Sequence, residues 1–217
     1  MGIRYNTSIV RNGLVLHLDA ANVKSYPGSG TTWNDLSGNG NHGTLVNGPT
    51  FNSSGYFSFD GSNDYVDTGV TASTFGIYDA PYTMEAVFRV PNLSGDKMVF
   101  GNNATGTRMG MHHGVRNNTF YFGHYSADAA GATVTANTWY HGCWMWTSQS
   151  PYCRIYINSN LIGSSDAGSF IGTTSIRIGM SWAYSNMDIS FAKIYNRALT
   201  TTEIKQNFEA LRGRYGI

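Results

Sequence analysis

The chain has 217 residues, of which 12% are charged, with 14 Lys+Arg against 13 Asp+Glu. The charged share is about half the usual ~25%, and the balance leaves no basic excess for binding nucleic acid. No run approaches the ~18–20 apolar residues of a membrane-spanning helix, so a membrane partner is not expected either.

Gly, Ser, Thr and Asn together make up 88 of the 217 residues, yet aromatics reach 14%. Such a chain has enough large side chains for a core, and its small polar residues suit turns. Met1–Asn12 carries no period and reads as an arm, with no charged start leading into an apolar run that would mark a secretory signal. Residues 13–199 read as one antiparallel sandwich. Leu14, Leu16 and Leu18 alternate with Val15, His17 and Asp19, the pattern of a strand with one buried face. Further short strands are predicted at Tyr56–Phe59, Tyr82–Val90, Lys97–Phe100, Thr107–Met111, Thr119–Phe122, Trp139–Trp146, Arg154–Ile157, Ser175–Ile178 and Asp188–Tyr195. In Tyr82–Val90, Met84, Ala86, Phe88 and Val90 share one face, and Glu85 and Arg89 the other. Residues 200–217 read as a helix and tail packed on the sandwich. Thr200 and Glu203 form a capping box, Ile204, Phe208 and Leu211 make an apolar stripe, and Gly213 marks the stop. Cys143 and Cys153 make no disulfide framework and are expected as free, buried thiols. Trp33, Trp139, Trp144 and Trp146 are expected in the core.

Several segments, in order, resemble laminin-G-like, concanavalin A-type jelly-roll domains. They are Trp33-Asn34-Asp35-Leu36-Ser37-Gly38-Asn39, Phe59-Asp60-Gly61-Ser62-Asn63-Asp64-Tyr65-Val66, Trp139-Tyr140-His141, Ile155-Tyr156-Ile157-Asn158, Ile176-Arg177-Ile178-Gly179 and Ile194-Tyr195-Asn196-Arg197-Ala198-Leu199. The resemblance implies an all-β, two-sheet jelly roll with a short C-terminal helix. Ser159 departs from it, standing where the family has Gly. A narrower resemblance links Asn6–Val10, the Ser25–Trp33 loop and the Arg214–Ile217 end to versions encoded by tailed, especially marine, bacteriophages. It implies a virion surface protein: a capsid decoration, head-fibre or tail-associated component. Expected partners are other virion proteins, docked through residues 1–12, with a neutral glycan and a second copy of the chain as further candidates.

Glucanases of this fold need two carboxyls flanking the bond. The chain has three Glu, at 85, 203 and 209. Val87 and Arg89 follow Glu85 on its own face, so no enzyme is expected; a lectin module and a glycan-cleaving enzyme are the alternatives weighed. Sugar stacking calls for exposed aromatics with a few polar groups. Two segments offer them: Trp182, Tyr184 and Asn186, and Tyr121, His124 and Tyr125. The competing reading is that these rings cover a sheet edge or a subunit contact. His112-His113 reads as ordinary polar residues, at an edge or a subunit contact, rather than as a metal site. For Ca2+, Asp60, Ser62 and Asp64 alternate as oxygen ligands can, and Asp35 heads a similar run. It is no EF-hand, since Tyr65 and Thr71 stand at the turn-glycine and bidentate-glutamate positions. Asp35, Asp60 and Asp64 are thus candidate calcium ligands, with plain turn chemistry as the alternative.

Overall fold

The computed structural model describes residues 8–217. Sixteen strands and two helices follow one another: β1 (Leu14–Asp19), β2 (Thr32–Trp33), β3 (Gly43–Val46), β4 (Thr50–Asn52), β5 (Tyr56–Asp60), β6 (Tyr65–Thr71), α1 (Ala72–Phe75), β7 (Tyr82–Arg89), β8 (Asp96–Gly101), β9 (His112–Arg116), β10 (Thr119–Gly123), β11 (Asp128–Thr133), β12 (Trp139–Trp146), β13 (Cys153–Ile157), β14 (Asn160–Ser165), β15 (Ser175–Ile178), β16 (Asn186–Tyr195) and α2 (Thr201–Leu211). They form two antiparallel eight-stranded sheets. The first runs β14-β13-β12-β7-β16-β5-β4, with β1 pairing the second half of β16. The second runs β11-β10-β9-β8-β15-β6-β3-β2. The two inner faces meet in one core that includes Leu16, Leu18, Trp33, Phe57, Met84, Phe88, Phe100, Phe120, Trp144 and Ile178. The all-β sandwich with a short C-terminal helix is therefore as expected. No helix among the described residues is long and apolar enough to cross a membrane.

The first sheet is covered on its outer face as well. Helix α2 and residues 8–12 lie there, burying Val10, Cys143, Met145, Tyr156, Tyr195 and Ile204 in a second apolar layer. This corrects the expectation of a one-sided β7. Its Glu85 is fully buried, and Val87 packs with Phe191 and Leu211. Strands buried on both faces lose strict alternation, and here a carboxylate occupies a buried slot. The capping box at Thr200 and Glu203 forms as expected. Gly213 is not the helix stop: the cap is Arg212, and the chain continues as a 3-10 turn through Arg214. Residues 1–7 of the expected arm lie outside the described residues. In the rest of it, the Val10 N–H donates to Asn207 Oδ1 and its carbonyl accepts the Tyr195 hydroxyl.

Three further expectations are corrected. Thr107–Met111 is a turn, with Arg108 at φ 66°, and the strand begins at His112. Trp139 and Trp146 are only half-buried, because each sits at an end of β12 where the covering layers thin out; Trp33 and Trp144 are core. His112 and His113 are both buried rather than polar residues at an edge. Both cysteines are buried and free.

Candidate functional site

The outer face of the second sheet carries an open cleft of about 340 Å³, lined by His112, Arg116, Tyr125, Ser126, Asp128 and Trp182. Alternation along β9 puts His112 and Arg116 on this face and His113 and Val115 in the core. Tyr121 on β10 packs beside the cleft, against His112 and Arg116. The His112 ring stacks on Tyr121 at 5.7 Å between centroids, and Trp182 meets His112 edge-on at 4.7 Å. The Arg116 guanidinium lies 4.1 Å above Tyr121 and 5.4 Å from Trp182. Such cation–π contacts hold the aromatic faces in place. Gly123 makes room for this packing, since a Cβ there would come within 1.9 Å of His112 Nε2. Trp182 and Tyr125 remain 39% and 38% exposed.

The charged side chains of the cleft are hydrogen-bonded. Arg116 donates from Nε to Asp96 Oδ1 at 2.9 Å, and His112 Nε2 lies 3.0 Å from Asp128 Oδ1. Burial pushes the Tyr121 hydroxyl up to about 12, and its hydrogen bond to Asp128 adds to the rise. Burial alone would raise Asp128, but hydrogen bonds from His112 and Tyr121 outweigh it and hold that carboxyl low. His112 Nδ1 is buried with no hydrogen-bond partner. The cleft thus sets an aromatic rim beside polar groups that are hydrogen-bonded to their neighbours.

Of the predicted sugar-contact residues, Trp182, Tyr121 and Tyr125 come together here. His124 does not, and that expectation is corrected. It is fully buried beneath the sheet, where its Nε2 meets the Tyr82 hydroxyl at 2.5 Å and its Nδ1 the Gly168 carbonyl at 2.8 Å. The reason is strand parity: along β10 Tyr121 points out, so Phe122 points in, and His124, two residues on, shares the inward side of Phe122. Tyr184 turns instead toward Tyr65, 6.1 Å away, over which Arg177 lies at 5.0 Å. Asn186 braces the sheet edge by donating to the Asp60 carbonyl. Arg116, His112, Ser126 and Asp128 were missed as cleft residues. The period-two spacing of His112, Gly114 and Arg116 is the signal that marks them, once the strand starts at His112.

The candidate calcium ligands do not gather. No group of three or more His, Cys, Asp or Glu among the described residues could hold a metal ion. The Asp35 carboxylate accepts the N–H groups of His17, Ser37 and Asn41 and the Ser37 hydroxyl. Asp60 Oδ1 accepts from Ser62 and Asn63, and Asp64 Oδ2 accepts the Asp60 N–H. These are turn bonds, and the donor sets do not fit a calcium cage, which needs six to eight oxygens converging on one point. The candidate hydrolytic Glu85 lies far inside, bonded to Lys193 and Asn207. Glu203 and Glu209 sit on α2, paired with Arg197 and Arg212.

None of the curated proteins matches this sequence. Among solved structures, Trypanosoma rangeli sialidase in complex with the inhibitor DANA aligns with a TM-score of 0.69 at 16% identity, over 93% of this chain and 33% of that one. The chain thus spans about a third of the length of that sialidase. Domain 4 of AbnA, a GH43 extracellular arabinanase from Geobacillus stearothermophilus, in complex with arabinotriose, aligns at 0.63 and 16% identity, covering 89% of this chain and 97% of that one. The receptor binding domain of botulinum neurotoxin C/D mosaic serotype aligns at 0.64 and 15% identity, covering 93% and 52%. At these identities the likeness is one of fold. Residues 60–205, more than half of the sequence, match the family described as the Concanavalin A-like lectin/glucanases superfamily, and the chain belongs to that family.

Proposed function

We propose that the chain is a non-enzymatic virion surface protein of a tailed phage, whose lectin-like domain holds neutral glycans in the Trp182 cleft. The observation that carries the glycan reading is the cleft itself. An exposed indole and an exposed phenol flank polar side chains that are already hydrogen-bonded. A neutral sugar can stack there and bond to Asp128 and Ser126 without stripping water from an unpaired ion. A domain of similar fold has been solved with arabinotriose, which makes an uncharged oligosaccharide a natural first probe. The virion setting is supported by the sequence resemblance at Asn6–Val10, Ser25–Trp33 and Arg214–Ile217. Many copies on one particle make weak single-site binding effective.

An array of neutral oligosaccharides, arabinotriose among them, tests the site. Binding that falls at least tenfold in Trp182→Ala, with an unchanged melting temperature, is the expected result. No binding by the wild type, or binding indifferent to Trp182, refutes it. Mass spectrometry of purified particles tests the setting. Val10 is tied into the body, so docking is assigned to residues 1–7: their deletion is expected to abolish particle attachment and leave glycan binding intact.

A further inference from the structure

Glu85 on β7, Lys193 on β16 and Asn207 on α2 meet beneath the helix, each fully buried. Lys193 Nζ donates to Glu85 Oε2 at 3.0 Å. Asn207 Nδ2 donates to the same oxygen at 2.8 Å and to the Tyr195 hydroxyl at 3.0 Å. The two nitrogens are therefore no farther apart than those two bonds laid end to end. On its other side, Asn207 Oδ1 accepts the backbone N–H of Val10 at 2.8 Å. Phe191 closes over the amine, its ring centroid 4.6 Å from Nζ. Glu85 Oε1 and His141 Nε2 face each other at 3.7 Å, beyond hydrogen-bond distance.

A buried ion pair by itself returns little stability, because desolvation consumes most of the Coulombic gain. The hydrogen bonds of Asn207 fix its carboxamide in one orientation beside that pair. The Asn207 nitrogen faces the carboxyl group, and its carbonyl oxygen faces a fixed N–H donor. An amine, a shared carboxyl base and an N–H on the carbonyl oxygen are the groups acyl transfer draws on. An amine becomes a nucleophile by giving a proton to an adjacent base. A preorganised N–H stabilises the oxyanion that develops on the attacked carbonyl. An amide nitrogen departs after receiving a proton from a positioned acid.

We propose that Lys193 and Asn207 join in an intramolecular amide cross-link, with Glu85 as the proton carrier. Lys193 Nζ passes a proton to Glu85 Oε2 and attacks Asn207 Cγ, forming the Nζ–Cγ bond. The Val10 N–H holds the charge on Oδ1. Glu85 returns its proton to Nδ2, and the Cγ–Nδ2 bond breaks. The attacking nitrogen gives up two protons in all: one goes to the departing nitrogen and the other leaves with it. Ammonium is released, Glu85 ends as it began, and no oxidant or reductant is consumed. Burial raises the carboxyl of Glu85 against the opposing pull of Lys193 and Asn207, which suits a group that takes up and returns a proton. The product ties the last strand of the first sheet to the helix that covers it.

Intact-mass spectrometry of the purified full chain reads this directly. The folded wild type is expected to be lighter than its encoded mass by one ammonia molecule. Its digest should contain a branched peptide joining the Lys193 segment to the Asn207 segment. Asn207→Ala and Glu85→Gln should restore the full mass. A wild type at full mass overturns the proposal, and so does an ammonia loss that survives Asn207→Ala. If Glu85→Gln fails to fold, the wild-type mass and the branched peptide still decide.

Discussion

Tyr82 shows how completely one hydroxyl can order its surroundings. His124 Nδ1 faces the Gly168 carbonyl, so it carries a proton, and in the neutral ring Nε2 is then an acceptor for the Tyr82 O–H. His113 Nδ1 lies 3.4 Å from the Gly123 N–H and accepts it, so its Nε2–H donates to the Tyr82 oxygen at 2.7 Å. Every proton in this buried chain has one position. Tyr82→Phe removes the link and leaves a buried donor and a buried acceptor unmatched. Destabilisation of about 2–4 kcal/mol is expected from urea unfolding, with the fold retained. A second single-residue effect lies at Ser159. Asn158 and Ser159 hold φ of 49° and 66° in the two-residue turn between β13 and β14. A side chain is strained there and glycine is not, so Ser159→Gly should raise stability by roughly 0.5–1 kcal/mol in the same measurement.

At the level of elements, legibility followed periodicity. β5, β10 and β15 are readable because their alternating apolar residues face one core, whereas in β1 a bulge after Leu14 puts Leu14 in the outer layer and Leu16 and Leu18 in the core, which corrects the expectation of a single buried face. The capping box made α2 readable before any coordinate. β4, β11 and β14 were not, because they are edge strands with sparse apolar patterning: β11 reads Asp-Ala-Ala-Gly-Ala-Thr and β14 Asn-Leu-Ile-Gly-Ser-Ser. The site was half-legible for a related reason. Aromatic residues in turns announced Trp182 and Tyr125. The polar half, Arg116 and Asp128, depended on where β9 starts and on which strand pairs with it. His124 was misplaced by one step of strand parity, the smallest error a period of two allows.

For the whole molecule, four buried histidines set the acid limit. Burial, reinforced by Lys193, Arg11 and Arg214, lowers His17 to about 3. His124 is lowered by burial to about 3, and His141 likewise, with Lys193 contributing. His113 falls well below its ordinary value through burial and the neighbouring His124. Depressed histidines give stability that is complete above their ordinary 6.5 and is lost as pH falls toward the folded values. In that window the unfolded chain binds more protons, at a cost of up to about 1.4 kcal/mol per pH unit for each histidine. Glu203, held at about 2 by its hydrogen bond from Arg197, adds to the loss below its ordinary 4.5. The raised Glu85 works in the opposite direction. The urea midpoint is therefore expected to drop between pH 7 and pH 5; an unchanged midpoint would contradict neutral burial of these rings.

The covering of just one sheet has a spatial consequence. Val10, helix α2 and the Arg214–Asp19 ion pair all lie on the outside of the first sheet, whereas the Trp182 cleft opens on the outside of the second. The sandwich thus has a back and a front. Anything that grips the protein by residues 8–12 or by its last residues takes hold of the back and leaves the front turned outward. Protein tethered to a sensor surface through a tag after Ile217 should bind glycan as well as it does free in solution, whereas coupling through a cysteine placed at Ser126 should silence it.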